Sequence, residues 1–168
     1  MSDTFIALFA LLLLFIVLPM LILLIRDRAR RHADAPMAAA AERLAFEGRL
    51  LHPDWVLAER QLQRPLPPGV RELYVDRNVI TRRDVRCGEH VIDTFEPLDD
   101  QAVRDASEWL GFAVLPLATT DLGDTVYLRP GPTEPDVVYL THHDGGDTEV
   151  FAESVAAILR TIKRRSPR

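Results

Sequence analysis

A single cysteine, Cys87, stands in the 168 residues of this chain. That excludes a disulfide framework and any multi-thiolate zinc or iron–sulfur site. No serine sits in a Gly-x-Ser-x-Gly setting, and no glycine-rich loop is built to cradle a phosphate. Internal repeats and low-complexity tracts are missing as well. The net charge of −5 argues against wholesale nucleic-acid binding. With 48% apolar and 27% charged residues, the chain is globular rather than disordered. Its length past residue 32 suits one core that removes roughly two thirds of the unfolded surface from water, so a multidomain enzyme is excluded.

What is present begins at the amino terminus. Phe5 to Ile25 reads FIALFALLLLFIVLPMLILLI, 21 residues without a charge. A helix of that length rises about 31 Å, the thickness of a bilayer's hydrocarbon core. Pro19 is tolerable inside such a span. A cleaved signal peptide would want positive charge before a shorter run and small residues just after it. Here Asp3 precedes the run, arginines follow it, and Ala33-Asp34-Ala35 lies behind them. The sequence therefore predicts a transmembrane helix over residues 5–25. Arg26, Arg28, Arg30 and Arg31 place the rest of the chain in the cytoplasm by the positive-inside rule, as a single-pass protein of the inner membrane. A lone thiol is compatible with that reducing compartment.

Residues 26–51 read as a basic juxtamembrane segment and a helical linker, with a helix over Ala38–Leu51 that Gly48 weakens. Asp54 is placed to cap a second helix through Gln63, and Pro68 to start a third carrying Val70, Leu73 and Tyr74. Val79–Val85 and His90–Phe95 read as a hairpin across Arg86-Cys87-Gly88-Glu89. Leu98–Leu110 returns to helix, ended by Gly111. Three strands follow, Phe112–Ala118, Thr125–Arg129 and Asp136–His142, separated by Asp121-Leu122-Gly123-Asp124 and Pro130-Gly131-Pro132. Phe151, Val155, Ile158, Leu159 and Ile162 then form one apolar stripe, predicting a closing helix with Asp147, Glu149 and Glu153 at its start and Arg160, Lys163, Arg164 and Arg165 at its end. The expected class is α+β: a mixed or antiparallel sheet flanked by helices.

The order of these pieces resembles the SMI1/KNR4 family, the SUKH superfamily, over about His52 to Ile162. The resemblance is carried by Leu66-Pro67 leading into Leu73-Tyr74, then Phe95-Glu96-Pro97-Leu98 and Trp109. Leu115-Pro116-Leu117-Ala118, Gly123-Asp124-Thr125-Val126-Tyr127-Leu128, Val137–Asp144 and the terminal amphipathic helix complete it. It implies a SUKH-like domain over residues 52–168 that is a binding module rather than an enzyme, with no catalytic, cofactor or metal residues to carry over. In bacteria such modules serve as immunity proteins against polymorphic toxins; in fungi they regulate cell-wall synthesis and signalling.

Two constellations invite chemistry. His142-His143-Asp144 with Asp147 could ligate a metal in a hydrolase. Adjacent residues of a strand point to opposite faces, so His142 and His143 share one ion only if the strand has ended. The spacing from Asp144 to Glu149 also fails a calcium loop, which leaves a strand end and a tight turn as the expectation. Cys87 and His90 could pair as nucleophile and base, but a hairpin tip is hard to shield from water. Trp55 and Trp109 fall at helical spacing with other apolar residues, which predicts core positions.

Charge says more. From Asp76 to Glu153 there are 17 Asp and Glu against 6 Arg and no Lys, a net of −11. Such a field steers a basic partner onto an acidic face, and nuclease toxins are basic because they bind phosphate. The alternative is a solvated surface that holds the domain off anionic lipid. The expected function is a membrane-anchored, non-catalytic protein-binding domain, an immunity protein whose partner is a basic toxin domain. No nucleic acid, small-molecule substrate or cofactor is expected. A membrane-tethered scaffold in envelope biogenesis or signalling is the alternative role.

Overall fold

The computed structural model describes residues 39–164 together with Met20. The contact pattern divides the chain into two units, Met1–Leu44 and Ala45–Arg168. The larger unit holds every strand of the described residues.

Helical residues 39–50 (α1) are followed by α2, Trp55–Leu62, which starts where the Asp54 carboxylate accepts from the Leu57 N–H and stops at Gln63 in a left-handed conformation. Pro68 at the first turn opens α3, Pro68–Val75, whose Val70, Leu73 and Tyr74 are buried. Asp76 then caps a four-residue turn, α4, Arg77–Ile80. Strands β1, Val85–Cys87, and β2, His90–Phe95, precede α5, Asp100–Leu110. Strands β3, Leu115–Thr120, β4, Thr125–Leu128, β5, Val138–Thr141, and β6, Thr148–Ala152, lead to α6, Val155–Arg164.

All six strands form one antiparallel sheet in sequence order, curled into a half-barrel. Register shifts between Ile92 and Thr94, Pro116 and Ala118, and Val138 and Tyr139 supply the curl, since each bulge bends its strand and raises the local twist. Pro116 has no N–H for the ladder and sits at one of these shifts. The curl brings β2 near β6: His90 Nε2 lies 3.0 Å from Glu149 Oε1, and the His90 and Phe151 ring centroids are 5.6 Å apart. Helix α6 packs against both edge strands, β1 and β6, and against α3. Its Val155, Ile158, Leu159 and Ile162 join Ile92, Phe95, Val126, Leu128 and Leu140 of the sheet in a single core.

These observations correct the expected fold class. The SUKH-like mixed or antiparallel sheet preceded by one transmembrane helix is replaced by an α+β unit whose sheet is a continuous six-strand antiparallel meander. Among the described residues no helix is long and apolar enough to cross a membrane. The expected span over residues 5–25 and its arginine flank lie outside the described residues, Met20 excepted.

Two local readings change as well. The strand expected over Val79–Val85 is not formed: Val79 and Ile80 belong to α4, whose turn the Asp76 side chain closes by accepting from Asn78 N, residues 81–84 are a turn and irregular backbone, and only Val85 reaches the sheet. The closing helix does not begin at Phe151. Ser154 accepts from Ala157 N and starts α6 at Val155, while Thr148–Ala152 pairs with β5 as the sixth strand. Phe151 precedes Val155 by four positions and so continues a helical stripe in the sequence alone.

Candidate functional site

Helix α5 positions the most distinctive surface of the unit. Asp99 caps it, accepting from Ala102 N at 2.9 Å, and Gly111 ends it at φ 76°. Val103 is its one fully buried residue. Trp109 follows Val103 by six positions, about 240° around the helix, so it falls off the buried stripe. The indole is 47% exposed, and Phe112 just beyond is 42% exposed. This corrects the expectation of a core role for Trp109. Trp55, by contrast, is half-buried, edge-on to Tyr74 with the Arg71 guanidinium over its ring.

Phe112 is anchored on the sheet. Phe112 meets the fully buried Tyr127 edge-on at 5.9 Å, and Tyr127 stacks on Tyr139. The Tyr127 hydroxyl is 3.0 Å from Thr141 Oγ1, itself 2.8 Å from Thr148 Oγ1.

Trp109 borders two depressions. On one side is a cleft of about 330 Å³ lined by Phe46, Arg49, Glu96, Asp105 and Pro116 among others. On the other is a hollow of about 480 Å³ lined by Phe112, Thr141, His143, Asp144 and Thr148. In the cleft, Glu96 Oε1 accepts from the Thr119 hydroxyl at 2.6 Å. Burial raises the Glu96 pKa and the like charges of Asp99 and Asp105 add to it, against the lowering effects of Thr119 and Arg49. Arg49 is committed elsewhere, forked on Asp99 at 2.6 and 2.8 Å.

That fork first, then the Ala102 N–H, holds the Asp99 carboxyl below its ordinary pKa despite partial burial. A lowered folded-state value means a contribution to stability that is full above about pH 3.9 and disappears as pH falls through the folded value. Asp99→Ala should cost about 1–2 kcal/mol, chiefly the lost cap, because a part-exposed ion pair adds little. Thermal melts between pH 3 and 6 should show the wild-type advantage shrinking at the acid end. A constant difference across that range would contradict this assignment.

The sequence-predicted constellations assemble differently from expectation. Strand β5 ends at Thr141, so His142 and His143 are free of strand alternation and both reach the same carboxylate. That carboxylate is Asp124, not Asp144: His143 Nδ1 lies 3.3 Å from Oδ1 and His142 Nδ1 3.4 Å from Oδ2. Asp144 turns back to accept from Gly146 N, and Asp147 is exposed. Among the described residues no group of three or more His, Cys, Asp or Glu side chains is placed to hold a metal ion. Cys87 and His90 are cross-strand partners beside the Gly88-Glu89 turn, with the thiol buried and His90 Nε2 turned to Glu149.

No family model, curated protein or solved structure matches the chain. The function must therefore be argued from this surface and the charge around it. Sequence reasoning missed the cleft and the exposure of Trp109. A helical-wheel comparison of positions 103, 109 and 110 contained the signal for the latter, since Leu110, not Trp109, shares the face of Val103.

Proposed function

We propose that this chain is a non-catalytic binding protein whose partner is a basic protein, engaged through the Trp109–Phe112 surface. The observation that carries this is a pair of exposed aromatic side chains, one of them packed on a buried tyrosine, beside a cleft that holds two carboxylates. Exposed tryptophan beside pockets is the signature of a binding hot spot, where a few residues supply most of the affinity. Glu96 and Asp105 in the cleft and Asp144 in the hollow give that surface the sign expected for a basic partner.

The role proposed is immunity, neutralisation of a basic toxin domain, as the resemblance in sequence to the SMI1/KNR4 family implies. Attachment at the inner face of the cell membrane rests on the charge-free run 5–25 and the arginines after it. Capture with the full chain in mild detergent tests the role. A basic toxin domain should co-purify, be released by salt and be neutralised on co-expression. Trp109→Ala should weaken that complex by at least about 30-fold, the penalty of a hot-spot residue. Retention of envelope-synthesis or signalling proteins instead would favour a tethered scaffold. Binding indifferent to both salt and Trp109 would reject the surface.

A further inference from the structure

We propose that the cleft between Glu96 and Trp109 receives one arginine side chain of the partner. This rests on the protein-binding reading above and specifies what the surface recognises.

The cleft, about 330 Å³, has room for a long side chain but not for a helix about 10 Å across. Its apolar wall, made by Phe46, Pro97, Ala102, Ala106, Trp109 and Pro116, suits a methylene stem. Its charged lining holds two carboxylates, Glu96 and Asp105, against one cation, Arg49. Glu96 uses Oε1 for the Thr119 hydroxyl, and Oε2 accepts no hydrogen bond among the described residues. Asp105 adds a second carboxylate. The single cation in the lining, Arg49, already has its fork on Asp99. An anion would face Glu96 and Asp105. A neutral apolar side chain would leave the Glu96 carboxyl covered and uncompensated, which is costly.

A guanidinium satisfies both halves of the lining. Its planar fork donates to carboxylate oxygens while its face lies against an indole, and it is more weakly hydrated than a lysine ammonium. The Glu96 carboxyl is raised above its ordinary value, mainly by its burial. An incoming cation favours its ionised form, so arginine binding weakens as pH falls through that raised range.

The test uses the full chain in mild detergent and the indole N–H resonances of its 2 tryptophans, with Trp109→Phe identifying one of them. N-acetyl-arginine amide should move the Trp109 resonance saturably, with a dissociation constant on the order of 1 mM, and leave that of Trp55 in place. N-acetyl-citrulline amide, equal in shape but neutral, should bind at least about tenfold more weakly, since charge-assisted bonds are the strong ones. Glu96→Gln should reduce arginine binding to the citrulline level and flatten its pH dependence. Asp105→Asn, at an exposed position, should weaken binding by about threefold. Equal binding of citrulline amide or lysine amide, or arginine binding unchanged in Glu96→Gln with the Trp55 resonance native, overturns the proposal. A partner complex that depends on Trp109 while arginine amide moves nothing would defeat this inference and leave the protein-binding reading standing.

Discussion

Gly69→Ala is expected to destabilise the larger unit by about 3 kcal/mol, against the usual direction of a glycine-to-alanine change inside a helix. Gly69 lies in the first turn of α3, where α3 crosses the start of α6. A Cβ there would come 2.7 Å from Ala156 N, 3.1 Å from Val155 C and 3.2 Å from Ala156 Cα. All three are backbone atoms, so no side chain can swing aside. Relief requires α6 to lift, and α6 carries the stripe of Val155, Ile158, Leu159 and Ile162 that belongs to the core. Gly48 makes the contrast. It is helical too, but a Cβ there meets nothing within 4 Å. Gly48→Ala should therefore stabilise by about 0.5–1 kcal/mol, the plain propensity gain. Urea titrations of the two variants in the same detergent, followed by tryptophan fluorescence, should show midpoints moved in opposite directions. Equal shifts would mean that the α3–α6 approach is looser than described.

Much of the helical framework was legible because its signals are local. Asp54, Pro68, Asp99 and Gly111 each start or stop a helix through a side chain or a backbone conformation that their own neighbours use. What was not legible is what the sheet decides. Residues Thr148–Ala152 become a strand because β5 offers them an edge, whereas their acidic residues and Phe151 fit a helix start equally well. The cleft was hidden for a similar reason. Arg49, Glu96, Trp109 and Thr119 come from α1, the β2–α5 connection, α5 and β3. Nothing in their spacing marks them as neighbours, and the curl of the sheet through its three bulges is what gathers them. The histidine pair shows a halfway case. Both histidines stood out in the sequence, yet their carboxylate partner lies on the facing end of β4, a placement fixed by the pairing of Thr125 with Thr141.

That partner is the subject of the second large effect. Asp124 is 1% exposed and joins two turns. Its backbone N–H donates to Thr120 Oγ1 at 3.0 Å, closing the β3–β4 turn, and its Oδ1 accepts from His143 N at 3.1 Å, holding the start of the β5–β6 turn. Oδ2 is buried without a hydrogen bond, and His142 Nδ1 at 3.4 Å is its nearest compensation. Burial by itself would raise this carboxyl's pKa. The His143 backbone and ring, then Thr120 and the His142 charge, outweigh it and leave the pKa lowered. Asp124→Ala removes the acceptor and strands the His143 N–H, so a loss of about 2–3 kcal/mol is expected. Amide exchange at His143 should accelerate along with the fall in urea midpoint. Asp124→Asn keeps an oxygen for that N–H and should retain part of the loss-making contact, but it cannot titrate. Because the folded-state pKa is depressed, the wild-type contribution is complete above about pH 3.9 and vanishes as pH falls through the lower folded value. The gap between wild type and Asp124→Asn should therefore narrow on acidification below that point. An Asp124→Ala variant within about 0.5 kcal/mol of wild type would show that the two turns hold without their shared carboxylate.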